Sequence, residues 1–175
     1  MNETRHASDA GDRLRLDRQV CFPLYAATNL MQRLYRPLLA PLGLTYSQYL
    51  VLLLLWEHGS ASVGELRGCL HLDAGTITPL LKRMERDGLV TRSRDSDDER
   101  RVIVALTPHS AELREQAQRI PETLAARIDF DASKVATLHD LTTSLVARLQ
   151  GLVERRGPQP SSFHTPHKEV RHDRA

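Results

Sequence analysis

The chain of 175 residues has no apolar run of about eighteen residues or more. Its longest candidate, "YLVLLLLW" at 49–56, is far too short to span a bilayer and ends against Glu57. The first residues, "MNETRHASDAGDR", are polar and mixed in charge, without the apolar core of an export signal. A cytoplasmic protein with no membrane association is therefore expected. Cysteine is scarce: Cys21 and Cys69 form neither a disulfide framework nor a CxxC redox or zinc pattern, so each is expected as a free thiol. Lysine is scarce too, at Lys82, Lys134 and Lys168, so the basic side chains are mostly arginines, whose guanidinium forks suit phosphate and minor-groove contacts. A net charge of +2 does not by itself indicate nucleic acid. There is no internal repeat, phosphate loop, Ser/His/Asp order or paired carboxylate site. Histidines of the middle region show no metal-ligand spacing, and His164, His167 and His172 lie near the C-terminus. No enzyme, no metal and no cofactor is expected.

What is present is a helical chain punctuated by glycine and proline. Residues 1–14 read as a flexible arm, 15–154 as the folded unit, and 155–175, rich in Pro, Ser and His, as a disordered tail. Leu16, Val20, Leu24, Ala27, Met31, Leu34 and Leu38 recur at spacings of three and four, one apolar helical stripe that Pro37 and Pro41 should close. Thr45 is a fair N-cap for "YSQYLVLLLLWEHG", apolar almost all round and hence a buried helix. "VGELRGCL" and "AGTITPLLKRMERDGL" then read as a helix-turn-helix, with Asp73 capping the second helix and Gly88 stopping it. Cys69, in the first of these helices, is expected to pack in the core. "VTRSR" and "RVIVALT" alternate apolar and polar with period two, a strand pair joined by the exposed "DSDDER". Two helices follow, "PHSAELREQAQRIPETLAARI" and "DASKVATLHDLTTSLVARLQGLVERR". The last carries a leucine seam at Leu138, Leu141, Leu145, Leu149 and Leu152, long enough to pack on another helix.

The expected fold class is therefore mainly α with a small β-hairpin wing, a winged helix-turn-helix whose N- and C-terminal helices form a dimerisation lobe. If Ile77, Leu81 and Met84 face inward, then at about 100° per residue Gly75, Pro79, Lys82 and Arg86 project the other way, flanked by Ala74, Thr76, Thr78 and Arg83. That face is small and polar at one end and basic at the other, as a helix reading base edges and phosphates requires. At the hairpin tip, Asp98 is expected to pair with and orient Arg100 for a minor groove, with Arg101 or Arg94 on the phosphate backbone.

Two stretches, "LDAGTITPLLKRMERDGLVTRSRDSDDERRVIVALT" (72–107) and "CFPLYAATNLMQRLYRPLLAPLGLTYSQYLVLLLLWE" (21–57), resemble the MarR family of dimeric winged-helix regulators. Within it they look like the branch that senses organic hydroperoxides, the OhrR branch. The resemblance covers roughly 16–154 and implies a homodimer that binds double-stranded DNA at a pseudo-palindromic operator.

The resemblance also implies a role for Cys21. If the first helix is continuous, Tyr25 lies one turn beyond Cys21, whereas Tyr35 is fourteen residues on, about 21 Å along the axis. That phenol can reach a Cys21 thiol only from a second subunit running antiparallel. In the OhrR branch the sensing cysteine is hydrogen-bonded at the dimer interface by the partner's tyrosines, and the matching positions here are Cys21 with Tyr35, Tyr46 and Tyr25. Phenol donors stabilise a thiolate, which would attack an organic hydroperoxide to give a sulfenic acid. Residues 108–130 hold no second cysteine to trap it, so the chain resembles the one-cysteine type, in which a small cellular thiol completes the switch. The competing readings are a repressor released by a small phenolic or other ligand, and a thiol peroxidase. Pro23 leaves two possibilities: a helix capped at Asp17, with the proline strained inside it, or a helix that begins near Phe22 with Cys21 just ahead of it.

Overall fold

The computed structural model describes residues 13–128 and 131–154. The proposed arm and tail, apart from residues 13 and 14, lie outside the described residues. The chain divides into two compact units, with the boundary between Tyr46 and Ser47.

The first unit is built on one helix, α1 (Cys21–Leu39). It does not reach back to Asp17. The Asp17 carboxylate accepts from Arg15 at 3.1 and 2.9 Å instead of capping a helix, and Leu16–Arg18 form a separate 3-10 turn. Leu16 and Val20 therefore stand outside the helical stripe. Because α1 starts at Cys21, Pro23 is its third residue, where the missing N–H has no intrahelical acceptor to lose. The proline question thus resolves close to the second possibility, with Cys21 as the first helical residue. Pro37 does not close the helix either; α1 runs through it to Leu39, giving up only the bond to the Arg33 carbonyl. A second 3-10 turn, Ala40–Leu42, holds Pro41, and Gly43 at φ 68° ends it in the left-handed region that glycine adopts freely. Phe22, Leu24, Leu30 and Leu34 of α1 remain exposed.

The second unit opens with most of α2 (Tyr46–His58), which buries Tyr49, Val51, Leu52, Leu55 and Trp56. Its apolar girth follows from this enclosure. The Trp56 indole donates to the Ser110 carbonyl at 2.8 Å, tying α2 to the start of a later helix. A short strand, β1 (Ser60–Ser62), precedes α3 (Val63–Cys69), and α4 (Ala74–Arg86) completes the helix-turn-helix. Ser62 and Glu65 form a reciprocal capping box on α3. Asp73 caps α4, accepting from the Thr76 N–H at 2.8 Å and its hydroxyl at 3.0 Å. Gly88 closes α4 in a Schellman turn, in which Leu89 N–H donates to Met84 and Gly88 N–H to Glu85.

Strands β2 (Val90–Arg94) and β3 (Val102–Leu106) form the expected hairpin, but β1 adds a third strand, in the antiparallel order β1-β3-β2. Ala61 faces Val104, and Arg92 faces the same residue from the other side. The helix expected from Pro108 to Ile128 is two: α5 (Pro108–Ala117), capped by a Thr107/Ser110 box, and α6 (Ile120–Ile128). Pro121 is the cause, because it cannot donate to the Ala117 carbonyl and its ring crowds that turn. α7 (Ala132–Glu154) ends the described chain, with Leu138, Leu141, Leu149 and Leu152 of its seam at 50–65 % exposure, an apolar face without cover in the single chain. No single helix among the described residues is long and apolar enough to cross a membrane.

Candidate DNA interface and thiol site

The α4 helix buries Ile77, Leu80, Leu81 and Met84, so its opposite face is free. Ala74, Gly75, Thr76, Thr78, Pro79, Lys82, Arg83 and Arg86 are all exposed, as the helical arithmetic required. Arg86 is partly neutralised by Asp87 at 3.1 Å, which leaves Lys82 and Arg83 as the open cations of the face. Between this helix-turn-helix and the hairpin lies a cleft of about 480 Å³, lined by Val63, Gly64, Thr78, Arg92, Arg100 and Arg101 among others.

The hairpin tip folds on its own carboxylates. Asp95 accepts from the Asp97 N–H at 3.0 Å and Asp98 from the Arg100 N–H at 3.0 Å, while Arg101 N–H donates to the Asp98 carbonyl at 2.8 Å. Asp98 therefore orients Arg100 through its backbone and not through an ion pair with its guanidinium. The three expected arginines also separate. Arg94 donates to the Glu99 carbonyl at 3.0 Å. Arg101 turns inward, 3.4 Å from buried Glu65 and 3.8 Å from Asp95, so it braces the wing against α3. Only Arg100 is left exposed at the tip with no side-chain partner among the described residues.

In the first unit, Cys21 is exposed at the start of α1. Tyr25 is one turn further and 69 % exposed. Tyr35 and Tyr46 pair with each other, ring centroids 4.9 Å apart and tilted by 46°. Because α1 is unbroken from Cys21 to Leu39, Tyr35 stands about 21 Å along the axis from the thiol of its own chain. Burial raises both phenols above the ordinary tyrosine value of 10.0, Tyr35 also through its neighbour Tyr46, so at neutral pH both are intact O–H donors.

The comparisons with known proteins converge on one family. A family model described as "Transcriptional regulator SarA/Rot" matches residues 33–118. An organic hydroperoxide resistance transcriptional regulator of Bacillus subtilis is 50% identical over 113 residues, covering 65% of this chain and 77% of that one. The chain belongs to the MarR-type winged-helix transcriptional regulators. Two solved structures share the fold: reduced AbfR bound to DNA, with a TM-score of 0.66, 30% identity and coverage of 80% of this chain and 98% of that one, and a mutant MarR from E. coli complexed with operator DNA, at 0.62, 28%, 70% and 89%. The family consists of DNA-binding regulators, not enzymes.

In this MarR-type regulator the second cysteine departs from expectation. Cys69 is the last residue of α3 and is exposed, not packed in the core. Partial burial and the negative Glu65 and Glu57 push its thiol above the ordinary value, which disfavours the reactive thiolate. Glu65 and Arg92 escaped the sequence reading altogether. Arg92 sits within a period-two strand and reaches Glu85 of α4 at 3.3 Å, a second tie between wing and helix. The S-x-x-E pattern at Ser62–Glu65 was the available signal for the cap, but nothing local indicated that the other carboxylate oxygen would meet Arg101. Replacing Glu65 by Gln keeps one acceptor and loses the other. We expect about 1 kcal/mol of lost stability, discounted because Arg101 is half exposed, together with weaker operator binding, read by urea denaturation and by fluorescence anisotropy.

The tyrosine pair gives a pH prediction. A group whose proton is held more tightly in the folded state contributes stability that is complete below its unfolded value and is lost as pH rises towards its folded value. Ultraviolet titration should therefore show two phenolates, those of Tyr35 and Tyr46, forming above the ordinary 10.0, and the fold should weaken from that pH upward. Ionisation of Tyr35 and Tyr46 at the ordinary value would contradict their burial.

Proposed function

We propose that this chain is a homodimeric repressor that binds a pseudo-palindromic operator while Cys21 is reduced and leaves it when an organic hydroperoxide oxidises that cysteine. The observation that carries the reading is the unbroken α1, with Cys21 at one end and the Tyr35–Tyr46 pair at the other. An antiparallel pair of such helices sets each thiol level with the other chain's phenols. The uncovered apolar faces of α1 and α7 are what a dimer would bury. The 50% identical Bacillus subtilis protein is named for organic hydroperoxide resistance, and the AbfR structure is of a reduced protein on DNA.

Cys21 is exposed as the first residue of α1, so a peroxide can reach the sulfur, which attacks as a thiolate. Phenol O–H donors of the partner stabilise the same thiolate. The sulfur attacks one peroxide oxygen, the O–O bond breaks, and the alcohol leaves with a proton, so that sulfur is oxidised to sulfenic acid and the peroxide reduced. A small cellular thiol then forms an S–S bond with Cys21 and water leaves. Added bulk at Cys21 displaces the phenols, the paired helices shift, and the spacing of the two α4 helices no longer matches the half-sites. Exposed Lys82 and Arg83 and the wing-tip Arg100 supply the operator contacts.

Sedimentation, intact mass and operator binding, measured before and after one equivalent of organic hydroperoxide, test the whole reading. A dimer that gains about 16 Da or a thiol adduct at Cys21 as it releases DNA is expected. Release without a mass change at Cys21 would falsify it.

A further inference from the structure

Helix α1 and the start of α2 line an open cleft of about 800 Å³, with Tyr25, Asn29, Gln32, Arg33, Arg36 and Tyr46 on its walls. At about 100° per residue the α1 members fall with Cys21 inside an arc of roughly 120°, so the cleft continues the face on which the thiol stands. The Arg33 and Arg36 guanidiniums have no hydrogen-bond or ionic partner among the described residues. Among the described residues of their unit, 13–46, Asp17 is the only acidic one, and it is taken by Arg15 at 2.9 Å. Among the described residues no acidic side chain lines the cleft, and Ala40 and Leu44 give it apolar wall beside the cations.

Two uncancelled guanidiniums beside amides, phenols and apolar wall suit a small organic anion, since planar forks match a carboxylate in two-point contact. We propose that this cleft docks the carboxylate group of a small molecule that reacts at Cys21. The inference rests on the antiparallel dimer proposed above. There, the partner subunit's Cys21 lies level with Tyr35, so Arg36 and Arg33 are displaced from it by only about 1.5 and 3 Å of helix rise. A carboxylate held by them brings the rest of its molecule to the thiol. Two reactants meet Cys21 in the switch, the hydroperoxide and the small thiol, and either can carry the carboxylate.

The test uses the full-length dimer, wild type against Arg33→Gln/Arg36→Gln and the Arg33→Lys/Arg36→Lys control, with Cys21 followed by mass. One arm compares a fatty-acid hydroperoxide, its methyl ester and cumene hydroperoxide as oxidants. The other compares mercaptoacetate, 2-mercaptoethanol and cysteamine as thiols reacting with the sulfenic form. We expect the glutamine variant to slow the anionic reagent by about tenfold in the arm that uses the cleft, to leave the neutral reagents unchanged, and the lysine control to recover part of the rate. The arm that responds identifies the source of the carboxylate. Equal slowing of charged and neutral reagents would mean that the arginines act only on the thiolate, and would overturn the proposal. So would an unchanged rate in both arms, with or without weaker operator binding by the reduced variant. Wild type that fails to react at Cys21 even with cumene hydroperoxide would instead sink the parent reading, which separates the two failures.

Discussion

A Cys21→Ser protein should bind the operator as the reduced wild type does and keep it through an excess of organic hydroperoxide that strips the wild type from DNA. Serine preserves size and hydrogen-bonding capacity at the first position of α1, where the side chain is exposed, so neither folding nor the reduced arrangement should suffer. What it removes is the nucleophile, since sulfur attacks a peroxide oxygen and a serine hydroxyl does not. The loss should therefore be complete and not graded. Cys69→Ser is the matched control, because its thiol is held above the ordinary value by burial, Glu65 and Glu57, and it should respond as wild type does. Gel-shift titration against hydroperoxide reads both. Release by Cys21→Ser would mean that the peroxide acts elsewhere, and retention by Cys69→Ser would give the second thiol a role that its surroundings argue against.

The elements that set this chemistry were legible to different depths in the sequence. Period and capping identified α4 and its outward face correctly because both are local: Asp73, Gly88 and the spacing of Ile77, Leu81 and Met84 act within one helix. The start of α1 was not decided locally. Asp17 is a reasonable cap by residue type, yet Arg15 two residues earlier takes its carboxylate, and Pro23 is harmless only once the helix begins at Cys21. Pro121 shows the opposite error, an apolar pattern read straight through a residue that breaks the backbone ladder between α5 and α6. Strand β1 spans only Ser60–Ser62 and carries no periodicity of its own; it exists because β3 offers it an edge. The wing arginines are alike by composition and were separated only by tertiary partners, buried Glu65 for Arg101 and the Glu99 carbonyl for Arg94. Cys69 failed for a related reason: it is the last residue of a seven-residue helix, and the turn leaves it outside the core.

That separation of the arginines carries the second large prediction. Arg100→Ala should weaken operator binding by roughly tenfold to a hundredfold, the range of about 1–3 kcal/mol for a side chain that reads a groove. The tip is held by Asp95 and Asp98 accepting backbone N–H groups and by Arg101 braced on Glu65, none of which involves the Arg100 guanidinium. Truncation should therefore leave the wing folded, and the melting temperature unchanged. Arg100 approaches a minor groove in the proposed complex, so its loss should be largest on operators with A·T-rich flanks, where the groove is narrow and most negative, and small on G·C-rich ones. Lys82→Ala supplies the contrast. It is exposed at the basic end of α4, and if in the proposed complex it meets phosphates, its removal should weaken all sequences alike and lower the salt slope by about one. If Arg100→Ala instead behaves like Lys82→Ala, uniform across flanks and visible only in the salt slope, the wing tip lies on the phosphate backbone and Arg100 reads no groove.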